Sequence, residues 1–165
     1  MRLTHVDPLA RKSTLQRQWE RLARTPFGRW YGIHLASPVD AMLLRASGGR
    51  LRLVGPLPTA TLTTTGARSG RLREVPVVYF HDDSDVIVVA SSFGRDRHPA
   101  WYHNLVAHPD CRLNDLTFTA AEVTDPDDYE RLFGLAERVY AGYADYRART
   151  DAIGRHIPVL RLTQT

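Results

Sequence analysis

The sequence has little cysteine and no long apolar run, and both shortages narrow the class of protein. Cys111 is the single cysteine among 165 residues, so no disulfide can form within the chain, and we expect a buried structural thiol. No segment approaches the roughly 18 apolar residues that cross a bilayer, and the start lacks the apolar core of a signal peptide. These absences favour a cytoplasmic protein and leave peripheral membrane contact open.

The residue patterns of self-sufficient enzymes are also missing. His98, His103 and His108 are five residues apart, so a helix would scatter them, and no partner set completes a metal site. Ser69 and Ser91 lie in no nucleophile elbow, and neither a Walker loop nor a Rossmann fingerprint occurs. An enzyme built on this chain would therefore need a borrowed cofactor.

Size and charge suit one basic globular domain. The chain is 43% hydrophobic, its formal net charge is +4, and its pI is about 9.6. Such a charge fits nucleic acid, an anionic membrane or a phosphate-bearing cofactor. We expect no nucleic-acid binding, because no helix-turn-helix spacing or aromatic-basic RNA motif is present. The oligomeric state is not determined by any of these features.

Residues 1–50 form a helical extension in this interpretation. Leu15, Trp19 and Leu22 fall at helical spacing, and cap-and-proline pairs at Thr25-Pro26 and Ser37-Pro38 start two further helices. Basic residues outnumber acidic ones here. Such an amphipathic segment would either lie on a membrane or pack on the rest of the protein.

From residue 51 to 165 the pattern changes to short β-rich runs, which predicts an α+β barrel of mainly antiparallel strands and not a doubly wound sheet. Helices are expected from near Pro99 to about Ala107 and after a cap at Thr124, with Pro126 in the first turn. The expected strands are Leu51–Val54, Thr59–Thr65, Leu72–Phe80, Asp85–Ala90, Arg112–Leu113, Leu116–Val123 and Ile157–Leu162.

Three segments could carry chemistry. In the first, Gly66 and Gly70 bracket a turn that carries Arg68, Arg71 and Arg73, which suits an anion or, equally, an ordinary exposed hairpin. In the second, small residues 90–92 end a strand and precede a helix with aromatic residues Trp101 and Tyr102, which would wall a planar ring or fill the core.

The third segment contains Tyr140, Tyr143 and Tyr146 at positions i, i+3 and i+6, which would place three phenols on one helix face. Buried hydroxyls need hydrogen-bond partners. Of the two interpretations, a pocket that stacks a planar substrate and an exposed stripe of tyrosines, we therefore favour the pocket.

These segments resemble, in order and spacing, the deazaflavin (coenzyme F-420)-dependent nitroreductase and quinone reductase family of actinobacteria. The resemblance covers about residues 59 to 163. It rests on Leu62–Gly66, Arg68-Ser69-Gly70, Arg73, Val75-Pro76, Val88–Ser91, His98–Leu105, Glu122–Thr124, Tyr140–Tyr146 and Ile157–Val159.

The resemblance implies a split β-barrel with an N-terminal helical region and two helices packed on the barrel. It implies hydride transfer from reduced coenzyme F-420 to a small planar acceptor: a quinone, an activated alkene or a nitro compound. Flavin mononucleotide on the same barrel is the alternative cofactor, since an arginine turn suits either phosphate. A non-catalytic protein that binds a lipid, a tetrapyrrole or a cofactor is the alternative of another class.

The resemblance also implies roles for residues. Arg68 and Arg73 would hold the phosphate and acidic tail, residues 76–78 would line the deazaflavin, residues 90–92 would face its polar edge, and Trp101 would close the groove. Tyr140, Tyr143 and Tyr146 would line the substrate side, with Tyr143 as proton donor. The implied cofactor-binding set is Thr65, Arg68, Ser69, Arg71, Arg73, Pro76, Val77, Val78, Ala90, Ser91, Ser92 and Trp101.

Two positions depart from the family pattern. Ala67 stands where a basic residue is usual, so the phosphate contact would either be weaker or be taken over by Arg71. After the strand, this chain has Ser92-Phe93 where relatives often have a lysine or a glycine, and Phe93 would narrow the pocket and change the choice of substrate.

Overall fold

The structure is a computed structural model that describes residues 3–23, Thr25 and residues 57–165. The predicted strand Leu51–Val54 and the helices expected after Thr25 lie outside these residues. No helix among the described residues is long and apolar enough to span a membrane. The helices are α1 (Thr14–Ala23), α2 (Ala100–Ala107), α3 (Pro126–Val139) and α4 (Gly142–Asp151), and the strands are β1 (Thr59–Thr65), β2 (Leu72–Asp82), β3 (Asp85–Val89), β4 (Asp110–Leu113), β5 (Leu116–Glu122) and β6 (Val159–Gln164).

The six strands close into an antiparallel barrel in the order β1-β2-β3-β6-β5-β4. Strand β2 is long enough to pair with β1 as far as Val78 and then with β3 from Tyr79. Closure removes exposed strand edges, which is how small all-antiparallel sheets avoid unwanted pairing. The expected α+β barrel is confirmed.

Strand β3 separates the two parts of the core. Val86 and Val88 belong to one buried cluster with Leu62, whereas Ile87 and Val89 belong to a second buried cluster with Phe133 of α3. Successive strand residues point to opposite faces, so a strand covered on both faces is apolar throughout. The buried Cys111 belongs to the first cluster, and burial raises the pKa of its thiol to about 11. The expected structural thiol is confirmed.

Helix α3 begins one residue later than expected. Asp125, and not Thr124, is the cap, because its carboxylate accepts a hydrogen bond of 2.8 Å from the backbone N–H of Asp128. The region predicted as one further helix also divides in two. Tyr140 has an extended backbone with φ −143° and ψ 108°, which ends α3 before α4 starts.

A cluster of five charged residues fastens α3 to the barrel. Arg161 of β6 donates to Asp82, Asp85 and Asp128 at 3.0–3.2 Å, and Arg131 of α3 donates to Asp82 and Asp128 at 2.7–3.2 Å. The arginines lower the pKa of the Asp82 and Asp128 carboxyls, Arg131 having the larger effect on each.

The N-terminal segment continues along β2 beyond the start of β1. His81 donates its backbone N–H to the carbonyl of Val6 (2.9 Å), and its ring Nδ1 accepts from the backbone N–H of Val6 (3.0 Å). The hydroxyl of Tyr79 donates to the carbonyl of Thr4 (2.9 Å). Residues 4–6 are therefore held by the barrel itself.

Candidate functional site

The arginine-bearing loop between β1 and β2 is anchored from below by one buried side chain. Asn104 of α2 accepts a hydrogen bond from the backbone N–H of Ala67 (3.0 Å) and donates to the hydroxyl of Thr64 (2.9 Å). Both side chains are buried. Arg68 and Arg71 are exposed on this loop, and no acidic residue in the described part of the chain pairs with them.

Strand β2 brings a second set of predicted residues beside the end of β3. Tyr79 pairs with Val88, so the antiparallel register carries Val78 and the two residues before it towards the point where the chain leaves β3. Pro76 and Val78 are half-buried and Val77 is buried. The two predicted segments 76–78 and 90–92 therefore belong to one part of the barrel.

The loop after β3 has a strained backbone. Ser92 (φ 51°) and Phe93 (φ 57°) both adopt the left-handed conformation, and Gly94 (φ 70°) follows them. Left-handed geometry costs a residue with a side chain roughly 1–2 kcal/mol, and such strain collects at functional sites. A Cβ on Gly94 would lie 3.2 Å from Tyr146 Cα, so a side chain at this position would press against α4 as well as strain the backbone.

The strained loop is held by Arg155, which the sequence analysis did not single out. The guanidinium donates to the backbone carbonyls of Ala90 (2.8 Å), Ser91 (3.1 Å) and Arg95 (2.8 Å), and it contacts His98 Nδ1 at 3.2 Å. An arginine after a glycine turn gives no local signal of this role. Asn104 does give one, because a polar residue shares the buried helix face of Trp101 and Leu105.

The three tyrosines meet, although they do not share a helix. Tyr140 lies at the end of α3, and Tyr143 and Tyr146 lie in α4, so the predicted single stripe is wrong. Their ring centroids are 5.6–6.1 Å apart, all three rings are buried, and the hydroxyls of Tyr140 and Tyr146 are 3.4 Å apart. The Tyr140 ring can lie over the start of α4 because Gly142 has no side chain in that space.

The cluster contacts the strained loop through one edge. The ring of Phe93 meets the ring of Tyr146 at 6.2 Å, whereas Tyr143 lies deeper and contacts Phe133 at 6.4 Å. Burial raises the pKa of the Tyr143 phenol well above its ordinary value, with a smaller contribution from Tyr140. The phenol therefore keeps its proton across the physiological range.

The remaining predicted residues divide by depth. Trp101 is buried in the same cluster as Leu105 and the barrel interior, so its ring serves the core. Two cavities in the described part of the chain, of about 570 and 430 Å³, lie by the N-terminal segment and beside α3 and α4 and contain none of the cofactor-binding set. Of that set, Ala90 is buried, Thr65, Ser91 and Ser92 are half-buried, and Ser69 and Arg73 are exposed.

Comparison with known proteins gives matches over most of the chain. The family described as F-420H(2)-dependent quinone reductase matches residues 39–164. An F-420H(2)-dependent quinone reductase of Mycobacterium tuberculosis is 36% identical over 145 residues, which is 82% of this chain and 94% of that protein.

Solved structures that are similar to this chain include the following two. One is of an F-420-H2-dependent reductase called FDR-A, with 35% identity and a TM-score of 0.55; the match covers 64% of this chain and 93% of the FDR-A chain. The other is described as a domain-swapped dimer, with 32% identity and a TM-score of 0.57; the match covers 76% of this chain and 99% of the chain in that structure.

Proposed function

The chain belongs to the F-420H(2)-dependent quinone reductase family, and from this premise we propose that it is a reductase that uses reduced coenzyme F-420 to reduce a small planar acceptor. The observation that carries this proposal is the family match from residue 39 to 164, which includes the whole barrel. Among acceptors, the family favours a quinone.

The residues present suit this cofactor. Coenzyme F-420 has a phosphate and an acidic tail, so its site needs cations that are not already neutralised. Among the described residues, no carboxylate lies within ion-pairing distance of Arg68, Arg71 or Arg73. Guanidinium groups match phosphate oxygens in geometry. We assign the phosphate and tail to these three arginines, and the ring to residues 76–78 and 90–92.

When bound in reduced form, the cofactor supplies a hydride. Converting a quinone to a quinol takes two electrons and two protons, and a hydride accounts for both electrons and one proton. A second proton must come from the protein or from water. We assign this role to the tyrosine cluster, with Tyr143 as donor, because its phenol is protonated and shares a ring cluster with Tyr146 beside the strained loop.

Side-by-side fluorescence titrations with coenzyme F-420 and flavin mononucleotide test the cofactor. We expect tight binding of the deazaflavin alone, followed by its reoxidation when a soluble quinone is added to the reduced complex. Tight binding of flavin mononucleotide alone would contradict the proposal. Binding of neither would favour a carrier protein.

Phenylalanine variants of the cluster test the proton donor. Tyr143→Phe should slow turnover much more than it weakens cofactor binding. Tyr129→Phe is the control and should leave turnover unchanged, because Tyr129 is a buried tyrosine outside the cluster whose hydroxyl donates to the carbonyl of Ile157 (3.1 Å). Single-turnover rates with the reduced cofactor separate the two effects. Unchanged turnover in Tyr143→Phe would exclude this donor.

We also propose that α1 contacts an anionic membrane surface. Leu15 and Leu22, seven residues apart on one face, are 77% and 63% exposed, whereas Glu20 on another face is buried in an ion pair with Lys12 (2.6 Å). The helix therefore turns an apolar stripe away from the protein. Residues 1–30 contain seven basic and two acidic residues, a net charge of +5, which complements anionic lipid.

Vesicle co-sedimentation tests this contact. Leu15→Glu/Leu22→Glu should abolish binding to phosphatidylglycerol vesicles, and binding to phosphatidylcholine vesicles should be weak throughout. Ile153→Glu is the control, because Ile153 is also exposed (57%) but lies beyond α4. Equal sedimentation of the double variant and the control would contradict the proposal.

A further inference from the structure

The guanidinium of Arg155 is an unusual buried charge. Arg155 is only 9% exposed, yet no carboxylate among the described residues lies within ion-pairing distance of it. Buried arginines are normally paired with an acid. This one instead directs both terminal nitrogens to Ala90, Ser91, Arg95 and His98, which all lie in the loop after β3.

The backbone of Arg155 connects the same loop to the tyrosine helix. Its N–H donates to the carbonyl of Thr150 at the end of α4 (2.8 Å). The loop packs on α4 again through Gly94 and through the ring of Phe93 against Tyr146. Arg155 therefore lies between the loop that is predicted to face the cofactor and the tyrosine cluster that is predicted to line the substrate site.

The carbonyl contacts fix the direction of two backbone donors. In a planar trans peptide the C=O and the following N–H point in opposite directions. Since Arg155 binds the carbonyls of Ala90 and Ser91, the N–H groups of Ser91 and Ser92 point away from it. These two N–H groups have no hydrogen-bond partner among the described residues. They are thus available to a ligand with acceptor atoms.

We propose that Arg155 is a positioning residue, which shapes the loop so that the backbone N–H groups of Ser91 and Ser92 donate to the polar ring edge of coenzyme F-420. The inference rests on the proposed function. Arg155 does not touch the cofactor in this arrangement. It acts by turning two peptide planes, and its planar fork reaches carbonyls that a lysine ammonium cannot reach together.

Cofactor affinity is the first test. Arg155→Met should raise the Kd for coenzyme F-420 on the order of tenfold, the equivalent of one or two misdirected hydrogen bonds. Arg147→Met is the matched control, because Arg147 of α4 is bound to Glu130 of α3 (2.9 Å) and does not contact the loop. It should lose thermal stability and keep the wild-type Kd. A folded Arg155→Met with wild-type affinity would overturn the inference.

A conservative variant keeps the test decisive if Arg155→Met does not fold. Arg155→Lys retains the charge and loses the fork, so its Kd should rise severalfold while the KM for the quinone stays unchanged. Wild-type Kd in Arg155→Lys would overturn the inference. A purely structural role would change stability without this separation of cofactor Kd from quinone KM.

The titration of His98 separates this inference from the proposed function. Burial lowers the pKa of His98 first, and the charge of Arg155 lowers it further. In Arg155→Met and Arg155→Lys, NMR titration should show a higher His98 pKa in the former and not in the latter. If wild type fails to bind coenzyme F-420, the proposed function fails. If the His98 titration is identical in all three proteins, the loop contact itself is wrong.

Discussion

The buried pair of Asn104 and Thr64 allows a quantitative test of how the arginine loop is held. In Asn104→Ala the Thr64 hydroxyl, 1% exposed, loses its partner, and Ala67 loses the acceptor for its N–H. An unsatisfied buried polar group costs about 1–3 kcal/mol, and an ordinary hydrogen bond contributes about 1 kcal/mol. Ala67 is exposed, so water replaces its lost bond. We expect a total destabilisation of about 2–4 kcal/mol.

Thr64→Val completes a double-mutant cycle. Alone it leaves the Asn104 amide without an acceptor and should cost about 1–3 kcal/mol. In the double variant neither the Thr64 hydroxyl nor the Asn104 amide remains to lack a partner. The destabilisation should therefore fall below the sum of the two single values by about 1–2 kcal/mol. Equilibrium urea unfolding, followed by tryptophan fluorescence, measures each value.

Cofactor binding adds a second, independent measurement. Asn104→Ala releases the loop at Ala67 and should weaken binding of coenzyme F-420, whereas Thr64→Val keeps that bond and should leave affinity almost unchanged. The reasoning is refuted if Asn104→Ala costs less than about 0.5 kcal/mol, or if the two single costs add within about 0.5 kcal/mol.

Three other changes should have distinct outcomes. Gly142→Ala places a methyl group against the Tyr140 ring, so it should disrupt the tyrosine cluster and slow turnover, as measured by single-turnover kinetics; wild-type rates would contradict this. Burial lowers the pKa of His81, so the native state disfavours protonation, and thermal stability should be constant at high pH and fall as the pH drops below about 6.5. His81→Asn, whose amide oxygen can accept the same hydrogen bond, should reduce that slope. Arg161→Met leaves Asp82 with one arginine and should lower the melting temperature at pH 7. Because the arginines lower the native pKa of Asp82, this loss should shrink only as the pH falls below the unfolded-state value of about 3.9 and through the lower native value; an equal loss at pH 7 and at the lowest pH at which the protein stays folded would refute the ionic contribution.

Local patterns in the sequence determined the strands and most helix positions. Alternation and turn residues predicted β1 with the observed bounds, and the apolar run after Asp85 predicted β3, which ends one residue earlier than expected. Proline and acidic residues located the start of α3 to within one residue. The family resemblance then indicated the cofactor. These signals are local in the chain, because strand period and helix capping depend on neighbouring residues.

Only the tertiary structure decided which distant groups act together. Tyr140 packs against Tyr143 and Tyr146 across the break between α3 and α4. This is possible because its ring occupies the space over Gly142 that a side chain would otherwise fill. Arg155 reaches a loop some sixty residues earlier in the chain, and no local spacing encodes that contact. The sequence by itself therefore specified the elements and the chemistry of the cofactor, whereas the positions of buried polar groups depended on barrel closure, which determines which carbonyls and hydroxyls lose water and need a partner.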